Sequence, residues 1–462
     1  MSTPVLIAEV ERPTILEWIL RPFSKVRPGE GLQALLMMVC LFVILTSYYL
    51  MKTAREGLIL TGGTLGLRGE ELKSYAGGAM AILLVGIVPA YGALANRVRR
   101  LVLINVSYAI VIGCLVVFFV LARMGAPIGL AFFIWIGIIN MFLIAQFWSY
   151  ANDLYTEEAG KRLFAIIAIG GSLGAVAGPK LATVATTYTL LPFAAVLLVG
   201  CLGLFNLIEV IHGRRAPAND VIARQPIEGG GGFSLVLRTR YLLLIAALVL
   251  VAELVKTNGE FVLSSVATEH AASLIPATAH PELGGAAHLA AITADRREVI
   301  KVFYGDFYFW VNLVSLLLQA FAVSRLIEKL GVRRALLVMP LIALGAYTLI
   351  GAIGGLALVR AAKVTENGVE YSVQNTVRQT LFLPTARAMK YKAKAAIDTF
   401  VVRAGDTLSA LLVWFGVHVL DVHGRGLAWV NVALVAVWIA IALRLARRHA
   451  ELSPELETRG AP

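Results

Sequence analysis

Along this chain the apolar positions come in long blocks rather than on one face of an otherwise polar helix. Blocks lie near 30–58, 74–95, 101–123, 127–152, 162–187 and 189–211, and again near 240–266, 302–327, 333–354, 356–383, 395–420 and 426–447. About 20 apolar residues in a helix cross the hydrocarbon core of a bilayer, and a helix apolar all round is buried or lipid-facing. The pattern predicts an all-α integral membrane protein with about twelve transmembrane helices in two sets of six. The block at 356–383 departs most from it. There Arg360, Lys363, Asn367, Glu370, Gln374 and Arg378 recur every three or four residues and draw one polar stripe, with Glu366 beside it. Two readings stay open: a span with a polar face, or an external loop of which only 371–383 enters the bilayer.

The polar residues inside other blocks repeat. Lys52, Thr53 and Glu56 return as Lys256, Thr257 and Glu260, each set ending a long apolar run. A Lys and a Glu four residues apart share a helix face. A charge in the bilayer costs on the order of 3 kcal/mol or more, so it faces a bundle interior or an aqueous cavity. A second echo joins Arg97–Ile104 to Gly331–Val338, each entering the third block of its half. Two echoes in matching places point to duplication: two pseudo-symmetric halves meeting at a polar site near the midplane, as transporters are built. Arg55 is matched by Gly259, so the site need not be symmetric.

Composition agrees: 58% of the 462 residues are hydrophobic and 15% charged, with mean hydropathy +0.79, whereas soluble domains carry roughly a quarter charged residues. Basic residues fall in every alternate connection, including Arg12, Arg21, Lys25 and Arg27, then Arg97, Arg99 and Arg100, then Lys161 and Arg162, then Arg214, Arg215, Arg224, Arg238 and Arg240. The second half continues with Arg325, Lys329, Arg333 and Arg334, with Arg387, Lys390, Lys392 and Lys394, and with Arg444, Arg447 and Arg448. The expectation is a multi-pass membrane protein with both termini cytoplasmic. The net charge of +12 is dispersed over loops, so a nucleic-acid partner is not expected; the partner is the lipid bilayer. The first block starts too late and runs too long for a cleavable signal peptide.

The expected organisation is a cytoplasmic segment 1–29, a six-helix bundle 30–211, a Pro- and Gly-containing linker 212–238, a second bundle 239–447 and a cytoplasmic tail 448–462. Within the second bundle, 267–300 carries Pro276, Pro281, Gly284 and Gly285 and reads as an external loop. Cys40, Cys114 and Cys201 lie in apolar blocks as packing residues. The histidines lack ligand spacing, so no metal and no cofactor is expected. A phosphate-loop reading of Gly170, Gly171, Gly174, Gly178 and Lys180 fails, because Pro179 precedes the Lys and no Ser or Thr follows it. Small residues four apart instead allow close helix approach.

The segment Gly92–Arg100 resembles the loop signature of the major facilitator superfamily, with Asn96 where that signature has an acid. Gly174, Gly178 and Pro179 are similar to the core of that superfamily's antiporter signature, without its trailing glycines. The expected fold is therefore major-facilitator-like.

The candidate substrate-binding cations are Lys52, Arg55, Lys180, Lys256, Arg378 and Arg403. Glu56, Glu253, Glu260, Glu370 and Asp406 are the candidate coupling or charge-pairing acids, and Asn152, Tyr304, Asp306, Lys363, Gln374 and Asn375 the candidate cavity lining. Arginine forks match phosphate or carboxylate, and lysine adds a point charge. The plainer alternative is internal pairing that locks helices together, as Lys52 with Glu56, Lys256 with Glu253 or Glu260, and Arg403 with Asp406 could do. A rigid scaffold has little use for so many charges.

The stretch Glu370–Gln379, followed by Lys392, Lys394, Ala395, Ala396, Ile397, Asp398 and Arg403, resembles the ATP/ADP translocase (nucleotide transporter) family of plastids and intracellular bacteria. The likeness extends to Phe147–Asn152 with Lys161 and Arg162, over roughly 30–447. It implies a twelve-helix carrier of a bacterial cytoplasmic (inner) membrane that exchanges nucleotides or related solutes without hydrolysing them. The family's first helix has a Lys-Asp pair where this chain has Lys52 and Thr53, and its seventh pairs Glu and Lys beside an aromatic that Glu253 and Lys256 lack. The combined expectation is an alternating-access exchanger of a small anionic, phosphorylated or nucleotide-like solute. The alternative is a proton-coupled carrier of a peptide, amino acid, organic anion or lipid-linked solute. A membrane-embedded transferase is the remote reading, since the sequence shows no nucleophile–base pair. The chain is not expected to be an enzyme.

Overall fold

The structure is a computed structural model that describes residues 26–27, 29–63, 66–95, 98–212, 232–382, 385, 393–422 and 424–452. The segment up to residue 25, most of the linker 212–238, Asn96 and Arg97, the basic stretch 386–392 and the tail beyond 452 lie outside the described residues. The described residues are all-helical, without strands. In the first half the long helices are α1 (Gly31–Thr61), α2 (Gly69–Ala95), α3 (Arg100–Arg123), α4 (Gly129–Leu154), α5 (Glu157–Thr183) and α6 (Leu190–His212). The second half has α7 (Arg240–Leu274), α8 (Gly285–Phe321), α9 (Val323–Ala352), α10 (Leu356–Val369, continued by a π-helical turn Glu370–Gln374 and by Asn375–Thr380), α11 (Lys394–His418, with a π-helical turn Ile397–Val401) and α12 (Arg425–Leu452). Eleven of these are long and apolar enough to cross a membrane; α10, whose α-helical stretch Leu356–Val369 is 14 residues long before the π-helical turn, is not among them.

The apolar pattern located the bilayer-spanning blocks but not the helix ends. The segment 267–300, expected as a loop, is mostly helix: α7 runs on to Leu274 and α8 begins at Gly285. Alanines and other good helix formers continue both helices beyond the apolar blocks. Only 275–284, with Pro276 and Pro281, stays outside them, and it folds back on α8. His280 Nε2 lies 2.7 Å from Asp295, and Arg296 Nε donates to the Ile275 carbonyl at 2.9 Å. Gly331 in the second echo takes φ 68° and bends α9 there.

One apolar cluster is drawn from residues 37–208. A second is drawn mainly from 236–446. Outside them, Ile82, Leu83, Val106, Ile110, Val117, Val196 and Val210 are exposed, as a lipid-facing surface requires. The glycines of α5 do pack closely. A methyl at Gly170 would meet the Met38 carbonyl, at Gly174 the Phe42 carbonyl and at Gly178 the Thr46 carbonyl, so α5 lies directly on α1. The halves meet where α5 and α1 face α8, and where α2 faces α11 and α7.

Candidate functional site

The two copies of the repeated motif converge on one ammonium group. Glu56 of α1 is fully buried, and its Oε2 lies 2.8 Å from Lys73 Nζ of α2. Lys73 also lies 4.0 Å from Glu260 Oε2 of α7. Arg55 completes the first copy with a 2.8 Å bond to Glu56 Oε1, and Tyr308 of α8 donates to the same oxygen at 3.0 Å. Lys73 donates to Ser264 Oγ at 3.0 Å and to Tyr304 Oη at 3.3 Å. Thus Lys73 holds the duplicated glutamates of both halves.

Lys52, which its spacing would allow to pair with Glu56, does not. Its ammonium sits over the Tyr308 ring, 4.1 Å from the centroid, and 5.2 Å from that of Tyr49. No carboxylate lies within ion-pair distance of it among the described residues. Glu56 already has two cations, and a desolvated ammonium is attracted to an aromatic face. Its counterpart Lys256 is committed instead, at 2.8 Å from Glu370 and 3.4 Å from Glu253.

These residues line two neighbouring cavities. One, of about 190 Å³, is walled by Lys52, Arg55, Glu56, Glu70, Lys73, Lys256, Glu260, Tyr308, Asn367 and Tyr371. The other, of about 360 Å³ in the second half, is walled by Glu253, Lys256, Glu366, Glu370, Tyr371, Gln374, Asn375, Arg378 and Trp438. Lys256 and Tyr371 border both. Four buried polar atoms in the larger cavity's wall lack a hydrogen-bond partner among the described residues: Arg378 Nε, Trp438 Nε1, Gln374 Oε1 and Glu370 Oε2. Buried polar groups are ordinarily satisfied, so donors and acceptors there remain available to a guest. Arg378 also lacks an ion-pair partner among the described residues.

Deeper in α10, Lys363 is wholly buried, 2.7 Å from Glu366 and 3.7 Å from Glu260. Asn367 donates to Glu260 Oε1 at 3.1 Å. Of the other candidates, Lys180 pairs with Asp306 at 3.0 Å with its side chain 58% exposed. Arg403 pairs with Asp406 at 2.9 Å, and Thr257 donates to Asp406 at 3.2 Å. Asn152 is exposed near the end of α4. None of Lys180, Arg403, Asp406, Asn152, Asp306, Lys363 or Tyr304 borders either cavity. Sequence reasoning missed Lys73. It stands one residue before the apolar block that begins at 74, so it reads as a connector; only its i,i+3 spacing from Glu70 within a helical run could have drawn it inside.

At one end the halves are also tied by polar contacts. Glu298 Oε1 of α8 accepts from the Thr187 backbone N–H at 2.9 Å, Lys301 donates to the Ala185 carbonyl, and Arg297 donates to Tyr188 Oη and lies over its ring. Glu298 and Lys301 pair with each other at 2.9 Å.

No family profile matches the chain. Over 351 residues, 66% of its length, it is 21% identical to ADP,ATP carrier protein 1 of Chlamydia trachomatis, spanning 62% of that protein. It is 25% identical over 166 residues to ADP,ATP carrier protein 1 of Chlamydia pneumoniae, 31% of this chain and 32% of that one. The chain thus matches less than two thirds of these curated relatives' lengths. Among solved structures it resembles the nucleoside transporter NupG (TM-score 0.62, 14% identity, 89% of this chain and 98% of that chain). It also resembles a point mutant of the peptide transporter POT (TM-score 0.63, 15% identity, 95% and 99%) and a bacterial homologue of the iron transporter ferroportin (TM-score 0.57, 12% identity, 90% and 98%). The fold is that of the major facilitator transporters, and the chain is a multi-pass helical membrane protein.

Proposed function

We propose that this protein is an alternating-access secondary transporter that exchanges a small anionic, phosphorylated or nucleotide-like solute across a bacterial inner membrane. Both termini are cytoplasmic in this reading, as the basic connections suggest. The observation that carries it is the pair of cations in the cavity walls, Lys52 and Arg378, that have no ion-pair partner among the described residues. Lys256, on the border of both cavities, reaches a ligand held by either. Every other cavity cation is held by a glutamate at a distance of 4.0 Å or less, so the wall is close to neutral and an anion must compete with carboxylates for its binding groups. Competition of this kind suits exchange. A site that closes on its own glutamates when empty is restored when a second anion displaces them. The distant likeness to carriers named for ADP and ATP supports the phosphorylated class of solute, and the unpartnered donors and acceptors beside Trp438 suit a solute with polar groups beyond its charge.

Uptake of radiolabelled anions by proteoliposomes, with and without internal counter-anion, tests the proposal. Internal anion is expected to accelerate uptake. Lys52→Gln and Lys256→Gln each remove a charge-assisted bond worth roughly 1.5–3 kcal/mol, so apparent affinity falls by about tenfold to a hundredfold while the protein stays monodisperse. Transport of neutral sugars or hydrophobic drugs with no anion transported defeats the reading.

A further inference from the structure

We infer that Glu366 is a proton-binding site whose occupancy is linked to anion binding in the central cavities. The linkage rests on the anion-transport reading; the proton site rests on geometry alone. Glu366 is 1% exposed, yet it forms part of the wall of the larger cavity, so a proton can reach it from that side. Its counter-ion does not border the cavity. Lys363 Nζ lies 2.7 Å from Glu366 Oε2 and 3.7 Å from Glu260 Oε1, so one buried ammonium serves two carboxylates. Tyr347 Oη of α9 lies 2.8 and 2.9 Å from the two oxygens of Glu366. That hydroxyl has a single proton to give and Lys363 donates to Oε2, so two donors face a carboxylate with about four lone-pair sites, and acceptor capacity is left for a proton.

From Glu366 the charges alternate without a gap: Lys363, Glu260, Lys73, Glu56 and Arg55. The chain holds as many acids as bases and crosses from the second half to the first. A proton arriving on a Glu366 oxygen neutralises that end and leaves a surplus positive charge. Lys363 keeps its protons and is released to Glu260, which then no longer depends on Lys73. The surplus charge favours an anion in the cavities, and by linkage a bound anion favours the proton equally. The other charged groups around Glu366 act in both senses. Glu370, one turn further on α10, disfavours a second carboxylate nearby. Across the cavity Lys256 of α7 pairs with Glu253 and more closely with Glu370, so it offsets part of that effect; Arg378 at the far wall favours the carboxylate, and Trp438 of α12 is neutral. Toward α8, this stretch of α10 packs Gly368 against Val314 and Ser315.

Infrared difference spectra of the purified protein between alkaline and acid buffer test the site without reference to transport. A carboxylic C=O band is expected to appear on acidification in the wild type and to be lost in Glu366→Gln. Lys363→Met combined with Glu366→Gln removes both charges, leaves no unpaired ammonium and should lack the band too. An absent band in the wild type, or one that persists in a folded variant, overturns the site. In proteoliposomes the wild type is expected to bind and exchange anion more tightly at acid pH, and the double variant to lose that response. Anion exchange that ignores pH in the wild type overturns the linkage. A Glu366-dependent band in a protein that carries no anion leaves the proton site standing and removes only the anion reading.

Discussion

Lys73 shows what a single residue adds to the duplicated motif. Its ammonium lies 2.8 Å from Glu56 and 4.0 Å from Glu260, so the repeat becomes a contact between halves through a residue that the repeat does not contain. The sequence made the glutamates visible because their spacing and apolar surroundings are local properties. It could not make their partner visible, since that choice depends on which helix packs across from them. The same limit explains Lys52. Four residues from Glu56 on one helix, it was free to pair, but Arg55 and Lys73 occupy that carboxylate and Tyr308 offers a ring instead. Lys73→Met should therefore be strongly destabilising. Breaking a buried pair by removing one partner costs about 3–5 kcal/mol, moderated here because Glu56 keeps Arg55 and Glu260 keeps Lys363. Thermal unfolding in detergent is expected to show a clear drop for Lys73→Met and partial recovery when Glu56→Gln is added. Equal stability of the single variant and the wild type would remove Lys73 from the centre of the site.

Among the elements, α10 was the hardest to read and α5 the easiest. In α10 the polar stripe was legible by its spacing, and Glu370, Gln374 and Arg378 do share a cavity wall. Its π-helical turn was not legible. Ser372 bonds back to the Gly368 carbonyl at 2.7 Å within that stretch, and the extra residue lets both Gln374 and Asn375 reach the same wall. Nothing in the three-to-four spacing announces an inserted residue, because a π turn is chosen by tertiary packing. In α5, by contrast, the glycines at 170, 174 and 178 sit on one face, and each meets a backbone carbonyl of α1. Carbonyls of a helix cannot move aside as side chains do. Gly174→Leu should therefore force α1 and α5 apart and cost at least the roughly 1–3 kcal/mol of ordinary overpacking. Size-exclusion chromatography is expected to show aggregation of this variant, or thermal unfolding a lower midpoint. A substitution at Gly77, whose added methyl meets nothing within 4 Å, should be tolerated.

For the whole molecule, two halves were legible from two echoes and a block pattern, but how the halves are held was not. Of the ties from Arg297, Glu298 and Lys301 to residues 185–188, Arg297 and Glu298 fall in the stretch 267–300 that composition marked as a loop and Lys301 just beyond it, and their partners are mostly backbone groups that no side-chain pattern reveals. If the halves rock about the central cavities, these contacts must break in one state, and their strength sets the balance between states. Conformations of a carrier differ by a few kcal/mol, and each 1.4 kcal/mol shifts the ratio about tenfold. Removing a hydrogen-bonded charge pair should thus move the population by roughly tenfold or more. Gly77 borders the smaller cavity and accommodates a cysteine, so Gly77→Cys reports access. Cys40 and Cys201 are buried, and Cys114, which is not, would be replaced by alanine. In oriented vesicles a membrane-impermeant thiol reagent is expected to label this position from the side bearing residues 184–189 much faster once Glu298→Ala and Lys301→Ala are introduced, and correspondingly more slowly from the other side. Faster labelling from both sides would mean that the contacts hold the fold together rather than one state of it, and unchanged labelling would mean that the halves part elsewhere.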